Sequence, residues 1–394
     1  MQDKIVIVSA LRTPIGSFQG DLSGIKATEL GSAVIRENIK ESKINREDIS
    51  EVIMGCVLPA GLGQAPARQA AIGADIPSEV GATTINKMCG SGMKAIMMGT
   101  DSIISDTNKI VIAGGLENMS NTPYILPKVR DGLRMGHAVI KDHMFFDGLE
   151  DAYEEGKLMG SFAEDTAEHY QFTREQQDNF AIESLNRAKR ANEDGTFLEE
   201  IVKLKIKEKK EEKIITKDQQ PYKANINKIP QLRPAFRNNG TVTAANSSSI
   251  SDGASALVLM KESEAERRAI KPIARIIAHS THSHQPRWFT TAPIGAIEKV
   301  LDKTGWNKTD VDLYEVNEAF AVVPMAVMKD IGISPEILNV NGGACALGHP
   351  VGASGARIVS TLIHALRKHK MKKGIASLCI GGGEATALAL EIIN

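Results

Sequence analysis

Hydrophobic residues recur along the chain in the patterns of buried strands and amphipathic helices. The apolar run from Lys4 to Val8 predicts a strand, residues 28–42 follow a helical period, and residues 49–55 predict a second strand. Strand, helix and strand in this order are typical of a βαβ unit. The pattern therefore predicts an α/β fold.

The same order of elements recurs in the second half of the chain. Residues 274–278 predict a strand, residues 294–304 a helix and residues 311–316 a further strand. Two shorter pairs of segments also match in order: Cys89-Gly-Ser-Gly-Met-Lys-Ala with Gly352-Ala-Ser-Gly-Ala-Arg-Ile, and Val111-Ile-Ala-Gly-Gly-Leu-Glu with Leu378-Cys-Ile-Gly-Gly-Gly-Glu. We interpret the chain as a duplicated α/β domain, and we expect related sites to meet between the halves.

Residues from about 121 to 247 interrupt the repeat. Residues 164–192 predict a charged amphipathic helix, and residues 203–213 mix lysine with glutamate. We interpret the region as a largely surface insertion, and the mixed-sign run as a solvated face rather than an anion site. We expect an N-terminal domain over 1–268, which contains this insertion (about 121–247), and a C-terminal domain over 271–394.

Charge and composition favour a small-molecule partner. Forty-seven basic and 48 acidic residues give a net charge of -1, which argues against nucleic acid or a membrane surface as the main partner. No apolar run reaches the length of a membrane span, no cationic leader precedes the first strand, and the last residues carry no peroxisomal address. We expect a cytoplasmic protein.

The cysteines and histidines do not predict a metal site. The four cysteines are widely spread and lack paired spacing, so we expect neither a disulfide framework nor a zinc site, and we interpret Cys56 and Cys345 as structural. The cluster from His279 to His284 has no carboxylate or cysteine ligands at the usual spacing, and we interpret it as a surface turn.

Cys89 lies where a predicted strand passes into a predicted helix, beside Gly90 and Gly92. A helix N-terminus lowers the pKa of a thiol, and a protonated histidine nearby would lower it further. We predict that Cys89 is a nucleophile. The alternative is a buried structural cysteine, which is the commoner fate of cysteines in general.

Two other residues end predicted strands. Cys379 ends an apolar strand just before three glycines, and two cysteines in one cleft can divide the work, one attacking a carbonyl and the other moving a proton. By itself, Cys379 fits a core position equally well. Asn317 follows the strand at 311–316, where it can cap the next helix or supply a donor to an oxyanion.

His349 lies in the glycine-rich stretch from Asn339 to Arg357, and Pro350 restricts its backbone. The stretch predicts a loop that ends at the N-terminus of a helix beginning at Gly355, where negative charge is favoured. By itself, such a stretch also fits a turn that only packs a helix on a sheet.

Together these motifs resemble the thiolase family. The matching sequence motifs are Asn-Lys-Met-Cys-Gly-Ser-Gly around Cys89, Val-Asn-Glu-Ala-Phe around Asn317, Ala-Leu-Gly-His-Pro-Val-Gly around His349 and Cys-Ile-Gly-Gly-Gly from Cys379. Further matches extend the resemblance over nearly the full length: Arg12 to Gly16, Leu232 to Phe236 and Gly240 to Asn246. The resemblance implies a five-layered αβαβα sandwich of two duplicated halves with an inserted loop domain that binds coenzyme A.

The resemblance also implies a two-step transfer between coenzyme A thioesters. Cys89 would be acylated after His349 takes its proton, and Cys379 would remove a proton from the methyl group of a second acetyl-CoA. His349, with a water held by Asn317, would stabilise the enolate, and the backbone amides of Cys89 and Gly381 would form a second oxyanion hole.

Binding residues are implied in the same way. Thiolases line the pantetheine channel at the positions of Ser248, Leu149, Met159 and Phe320, and Lys223 would lie near the nucleotide end. No permanently bound cofactor is implied, because coenzyme A is a substrate and product.

The sequence departs from the family pattern at three places. Leu158 stands before Met159-Gly160, where acetyl-specific thiolases carry histidine, and an apolar residue there suits a longer or branched acyl chain. Glu384 and Trp288 are also unusual for the family.

The resemblance implies, as the first hypothesis, an acetyl-CoA C-acetyltransferase that reversibly forms acetoacetyl-CoA and coenzyme A from two acetyl-CoA. A 3-ketoacyl-CoA thiolase for longer chains is the alternative within the family. A non-catalytic acyl-CoA or lipid carrier on the same fold is a remote alternative, and a cysteine hydrolase would leave Cys379 without a purpose. We expect acyl-CoA thioesters as partners and a homodimer or homotetramer.

Overall fold

The structure is a computed structural model that describes residues 3–208 and 211–393. Its α-helices are α1 (Ala27–Ser42), α2 (Pro66–Gly73), α3 (Ser91–Ile104), α4 (Met159–Tyr170), α5 (Arg174–Glu193), α6 (Gln220–Lys223), α7 (Glu262–Arg267), α8 (Ala292–Thr304), α9 (Val322–Val327), α10 (Ala344–Leu347) and α11 (Val351–His369). Its strands are β1 (Ile5–Arg12), β2 (Gly16–Ser17), β3 (Glu51–Gly55), β4 (Gly81–Ile85), β5 (Ile110–Asn118), β6 (Tyr124–Ile125), β7 (Lys141–Asp142), β8 (Leu204–Glu208), β9 (Glu211–Ile215), β10 (Ser251–Lys261), β11 (Ala274–Ser283), β12 (Leu313–Val316), β13 (Lys373–Ile380) and β14 (Glu384–Ile392).

One mixed sheet runs through both halves of the chain. Its strand order is β12-β13-β14-β11-β1-β10-β5-β3-β4, with β2 paired to β10. The halves meet where β1 pairs antiparallel with β11, so that Ile5 lies opposite Ile276 and Ile7 opposite Ala274. Each half repeats the predicted strand, helix and strand order, and the α/β fold is confirmed.

Helices cover both faces of the sheet, because successive side chains of a strand point to opposite faces. On β5, the side chains of Ile110 and Ile112 pack with α1 and α2, whereas those of Val111 and Ala113 pack with α3 and α11. α8 and α9 pack in a third core with strands of the second half. Helices α3 and α11 therefore lie between the two halves, as a five-layered αβαβα sandwich requires.

Glycines allow the two central helices to approach closely. A Cβ atom added at Gly92 of α3 would lie 2.8 Å from the backbone nitrogen of Ala356 in α11. A side chain at this position would push the helices apart, and these helices begin two residues after Cys89 and His349, respectively. The repeated Gly-Ser-Gly and Ala-Ser-Gly segments thus bring the two candidate residues to one place.

Several element predictions were wrong in detail. The predicted helix at 164–192 is two helices, α4 and α5, because the chain turns at Gln171, which has a φ of 56°. The helix predicted from Gly355 begins at Val351. The histidine cluster is not a surface turn: residues 279–283 belong to β11, which pairs with β14. The mixed-charge run at 203–213 is different: residues 204–208 and 211–213 belong to the paired strands β8 and β9, which does not contradict a solvated face, and residues 209 and 210 lie outside the described residues.

Candidate active site

Cys89 lies between β4 and α3 and is partly exposed. The backbone N–H groups of Gly381 and of Cys89 itself face the thiol. Burial nevertheless raises the pKa of Cys89 to about 11, and the two amides lower it only in part. The sequence predicted a lowered pKa, so this expectation was wrong. The resting thiol is protonated, and a base must remove its proton before it can attack a carbonyl.

Cys379 is the second-last residue of β13, in the other half of the molecule, and is fully buried. Burial raises the pKa of its thiol well above the usual range, and the charge of Cys89 raises it further. The two cysteines lie near each other because their loops pack directly: Ile380, which follows Cys379, fills the space beside Gly90, which follows Cys89.

His349 is held by hydrogen bonds on both its backbone and its ring. Its N–H donates to the carbonyl of Ser249 at 3.1 Å, and its Nδ1 lies 2.5 Å from Oγ of Ser354. The single hydroxyl hydrogen of Ser354 is directed at the carbonyl of Pro350, 3.0 Å away. The Ser354 oxygen then accepts from Nδ1–H, and this assignment leaves the lone pair of the imidazole on Nε2.

The Nε2 atom of His349 is buried and has no hydrogen-bond partner among the described residues. Burial, with a smaller effect of the charge of Arg357, lowers the pKa of His349 to about 3. The imidazole is therefore neutral near pH 7 and can act as a base. A buried nitrogen without a hydrogen-bond partner is expected at a site where the substrate supplies that partner.

Asn317 follows β12 and is fully buried. Its backbone N–H donates to Ser377 at 3.0 Å, and its Oδ1 accepts from a guanidinium nitrogen of Arg357 at 3.2 Å. Its Nδ2 has no partner among the described residues. The site thus contains a second orphaned buried nitrogen, and this one can only donate.

The residues predicted to line a coenzyme A channel lie near these groups, except for Lys223. Leu149 shares an apolar cluster with Cys89, and the sulfur of Met159 would lie 3.4 Å from a Cβ atom at Gly381. The N–H of Ser248 donates to the carbonyl of Ala319, directly before Phe320, at 2.9 Å. Lys223 is exposed and donates instead to Ser17, 2.6 Å away.

Buried polar residues that the sequence analysis did not single out support the site. Glu117 accepts hydrogen bonds from the backbone N–H groups of Val57 and Gly352, each at 2.9 Å, and of Leu58 at 3.2 Å. It thereby ties the start of α11 to the loop after β3. Ser354 and Arg357 act in the same way on His349 and Asn317. Ser354 and Arg357 lie inside the glycine-rich stretch around His349, and this motif is the sequence signal that could have identified them.

Two of the unusual residues now have structural roles. Glu384 accepts from Lys87, near the nucleophile, at 2.6 Å. The carbonyl of Trp288 lies 2.7 Å from Nε2 of His284, and its indole packs against the ring of His169 with centroids 5.2 Å apart.

The described residues contain no group of three or more His, Cys, Asp or Glu side chains that could hold a metal ion. No helix in the described part of the chain is long and apolar enough to cross a membrane. A groove of about 640 Å³ between α1 and β8 contains none of the candidate catalytic side chains.

Comparison with known proteins identifies the family. Residues 5–263 match the thiolase N-terminal domain, and residues 270–392 match the thiolase C-terminal domain. The chain belongs to the thiolase family. It is 49% identical over 390 residues to a probable acetyl-CoA acetyltransferase of Dictyostelium discoideum, with 99% of this chain and 94% of that protein covered. It is 47% identical over 393 residues to an acetyl-CoA acetyltransferase of Allochromatium vinosum, with 99% of this thiolase and 100% of the relative covered.

Solved structures of similar thiolases share the fold. An acetyl-CoA acetyltransferase from Bacillus anthracis superposes with a TM-score of 0.97 at 40% identity, covering 100% of this chain and 99% of the other. A thiolase from Ascaris suum in complex with coenzyme A superposes with a TM-score of 0.93 at 40% identity, covering 99% and 100%. The predicted thiolase fold is confirmed.

Proposed function

We propose that this thiolase is an acetyl-CoA C-acetyltransferase, which reversibly condenses two acetyl-CoA into acetoacetyl-CoA and coenzyme A through an acetyl-Cys89 intermediate. The names of the relatives support this activity. The single structural observation that carries it is the packing of the Cys89 loop against the Cys379 loop, which come from opposite halves of the chain.

In the first half-reaction, Nε2 of His349 takes the proton of Cys89 and the thiolate attacks the thioester carbonyl. The N–H groups of Cys89 and Gly381 face this position and can donate to the oxyanion. The bond to the coenzyme sulfur breaks, and the coenzyme thiolate recovers the proton from His349. Cys89 is left acetylated, and atoms and charge balance.

In the second half-reaction, Nε2 of His349, neutral again, takes the proton of Cys379, and the resulting thiolate takes a proton from the methyl group of the second acetyl-CoA. The enolate oxygen needs a donor, and Nδ2 of Asn317 can supply one through a water beside His349. The enolate carbon then attacks acetyl-Cys89, the carbon–sulfur bond breaks, and the Cys89 thiolate receives the proton held by His349, while Cys379 keeps the methyl proton and is again a thiol. Gly381 and these four side chains form the proposed catalytic set.

Coenzyme A is proposed as a substrate and product, with Ser248, Leu149, Met159 and Phe320 along its pantetheine arm. The similar thiolase in complex with coenzyme A supports this use of the site. Lys223 is kept as a contact of the nucleotide end, supported by its exposure alone. We also propose the division into residues 1–268, with the insertion at about 121–247, and residues 271–394, which the matched ranges 5–263 and 270–392 support.

A homodimer or homotetramer and a cytoplasmic location are proposed as well. Exposed apolar side chains are dense between residues 124 and 140 of the insertion: Tyr124, Leu126, Val129, Leu133, Met135, Val139 and Ile140. Exposed apolar side chains so dense in one segment are typical of an interface, and a second copy of this chain is the occupant we propose. A mouse relative is named a cytosolic acetyl-CoA acetyltransferase at 46% identity.

A substrate-length series in the thiolytic direction tests the proposed activity. With free coenzyme A, we expect loss of acetoacetyl-CoA enolate absorbance to be at least about tenfold faster than cleavage of 3-ketohexanoyl-CoA. Faster cleavage of the longer substrate would favour the 3-ketoacyl-CoA thiolase, which the apolar Leu158 would suit. Binding of acyl-CoA without any cleavage would favour the carrier.

A further inference from the structure

Arg357 of α11 lies behind the site and is almost completely buried. One of its terminal nitrogens donates to Glu315 at 2.9 Å and the other to Oδ1 of Asn317 at 3.2 Å. We infer that Arg357 is a positioning residue, which fixes the orientation of the Asn317 amide and thereby decides that a hydrogen-bond donor faces the substrate.

The two ends of an amide group have nearly the same shape, and only their partners decide which way the group lies. If the Asn317 amide were reversed, its NH₂ group would face the donors of a buried guanidinium, and both would lack an acceptor. The reversed amide would also present an oxygen to the site. The bond from Arg357 therefore excludes the orientation that could not stabilise an enolate.

The Arg357 guanidinium is itself held by Glu315, which lies in the same segment as Asn317. Glu315 and Asn317 are two residues apart at the end of β12, so their side chains lie on the same side. The planar fork of arginine can contact both at once, which the single ammonium of a lysine cannot do equally well. The Glu315 carboxylate, which is buried with it, keeps the fork in place.

The same helix orients both unpartnered nitrogens. Ser354 sets the tautomer of His349, and Arg357 lies one turn later on α11 and sets the amide of Asn317. A single rigid element therefore positions the base of the first half-reaction and the donor of the second.

This inference rests on the proposed function. Measuring the two half-reactions separately distinguishes a failure of the inference from a failure of the proposed function. Acetylation of Cys89 by acetyl-CoA does not need the Asn317 donor, whereas exchange of the acetyl-CoA methyl protons with deuterated water requires the enolate. In the Arg357→Met variant, we expect exchange to fall about 100-fold. Acetylation should stay within about threefold of wild type.

Two further variants keep the test decisive. Arg357→Lys retains a buried cation and should show the same split with a loss of exchange of about tenfold. Arg12→Met is the matched control, because Arg12 is also buried and is paired with Asp218 at 2.7 Å but makes no hydrogen bond to a proposed catalytic side chain among the described residues. It should lower the melting temperature while leaving the ratio of exchange to acetylation unchanged.

The outcomes separate the two ideas. If the Arg357 variants lower acetylation and exchange in parallel, as the Arg12 variant does, or leave exchange unchanged, the positioning role is wrong. If the wild-type protein shows no acetylation of Cys89, the proposed function is wrong and the inference fails with it.

Discussion

The ammonium group of Lys87 lies 2.6 Å from the carboxylate of Glu384, and this ion pair joins the loop before Cys89 to the turn after Cys379. Ser283 also donates to Glu384, at 3.0 Å. The pair connects opposite halves of the molecule within a few residues of both proposed reacting sulfurs. The ion pair therefore helps to fix the position of the Gly381 N–H group relative to the Cys89 thiol.

Removing either partner of this pair should slow catalysis more than it destabilises the fold. The side chains are 21% and 32% exposed, so the pair contributes on the order of 0.5 kcal/mol to stability. We expect Lys87→Met and Glu384→Gln each to lower kcat about threefold to tenfold, and the double variant to add little to either.

A double-mutant cycle on kcat and on the free energy of unfolding checks this coupling. The pair of Lys213 and Asp21, 3.1 Å apart with side chains 45% and 30% exposed, is the control, because Asp21 lines the groove that contains no candidate catalytic side chain. Additive effects of Lys87→Met and Glu384→Gln on kcat would show that the two residues act independently.

Replacing Cys379 should separate the two half-reactions. In the Cys379→Ser variant, acetylation of Cys89 should stay within about threefold, while condensation should fall about 1,000-fold because the base for the methyl proton is lost. Acetyl-enzyme formation and acetoacetyl-CoA synthesis are measured in parallel, with Cys56→Ala as the control for loss of a buried thiol. Equal losses in both half-reactions would contradict the division of labour.

Ser354 should matter through the tautomer of His349. Without the Ser354 oxygen, Nδ1–H has no acceptor in this position, and the Nε2 lone pair is no longer favoured. We expect Ser354→Ala to slow both half-reactions about tenfold. Ser360→Ala removes another buried hydroxyl of α11, one that pairs with Ser255 at 3.2 Å, and should leave both rates near wild type.

Glu117 should make stability depend on pH. Burial raises the pKa of this carboxyl from 4.5 to about 7, although the N–H groups of Val57, Leu58 and Gly352 lower it in part. Between these values the folded protein holds a proton that the unfolded chain has released. The stabilisation is therefore complete below pH 4.5 and is lost as pH rises through about 7.

The Glu117→Gln variant isolates this contribution because glutamine does not titrate. Between pH 5 and pH 8, the wild-type free energy of unfolding should fall relative to that of the variant by on the order of 3 kcal/mol. Urea unfolding at both pH values measures the difference. The same pH dependence in both proteins would show that Glu117 titrates normally.

The sequence predicted those parts of the fold that local pattern determines. The apolar runs in β1, β3, β12 and β13 and the helical period of α1 and α8 identified these elements within a few residues. The histidine cluster was missed as a strand because β11 is defined by its pairing with β14, which is distant in the chain. The break at Gln171 depends on one backbone conformation that periodicity does not reveal.

Within the candidate site, residues in dense motifs could be found and their supports could not. Glu117 acts on residues 57, 58 and 352, and Arg357 acts on residues 315 and 317, so both roles require a three-dimensional arrangement. The pKa of Cys89 was predicted with the wrong sign for the same reason. The helix N-terminus is visible in the sequence, but the burial that outweighs it is not.

The most direct test of the account is to locate the acetyl group after brief reaction with acetyl-CoA. Mass spectrometry of peptides from the acid-quenched enzyme should find one added acetyl group, on the peptide containing Cys89, and none after addition of excess free coenzyme A. The Cys89→Ser variant should show no such coenzyme-reversible group. An acetyl group on Cys379 instead, or turnover by Cys89→Ser at the wild-type rate, would contradict the central claim.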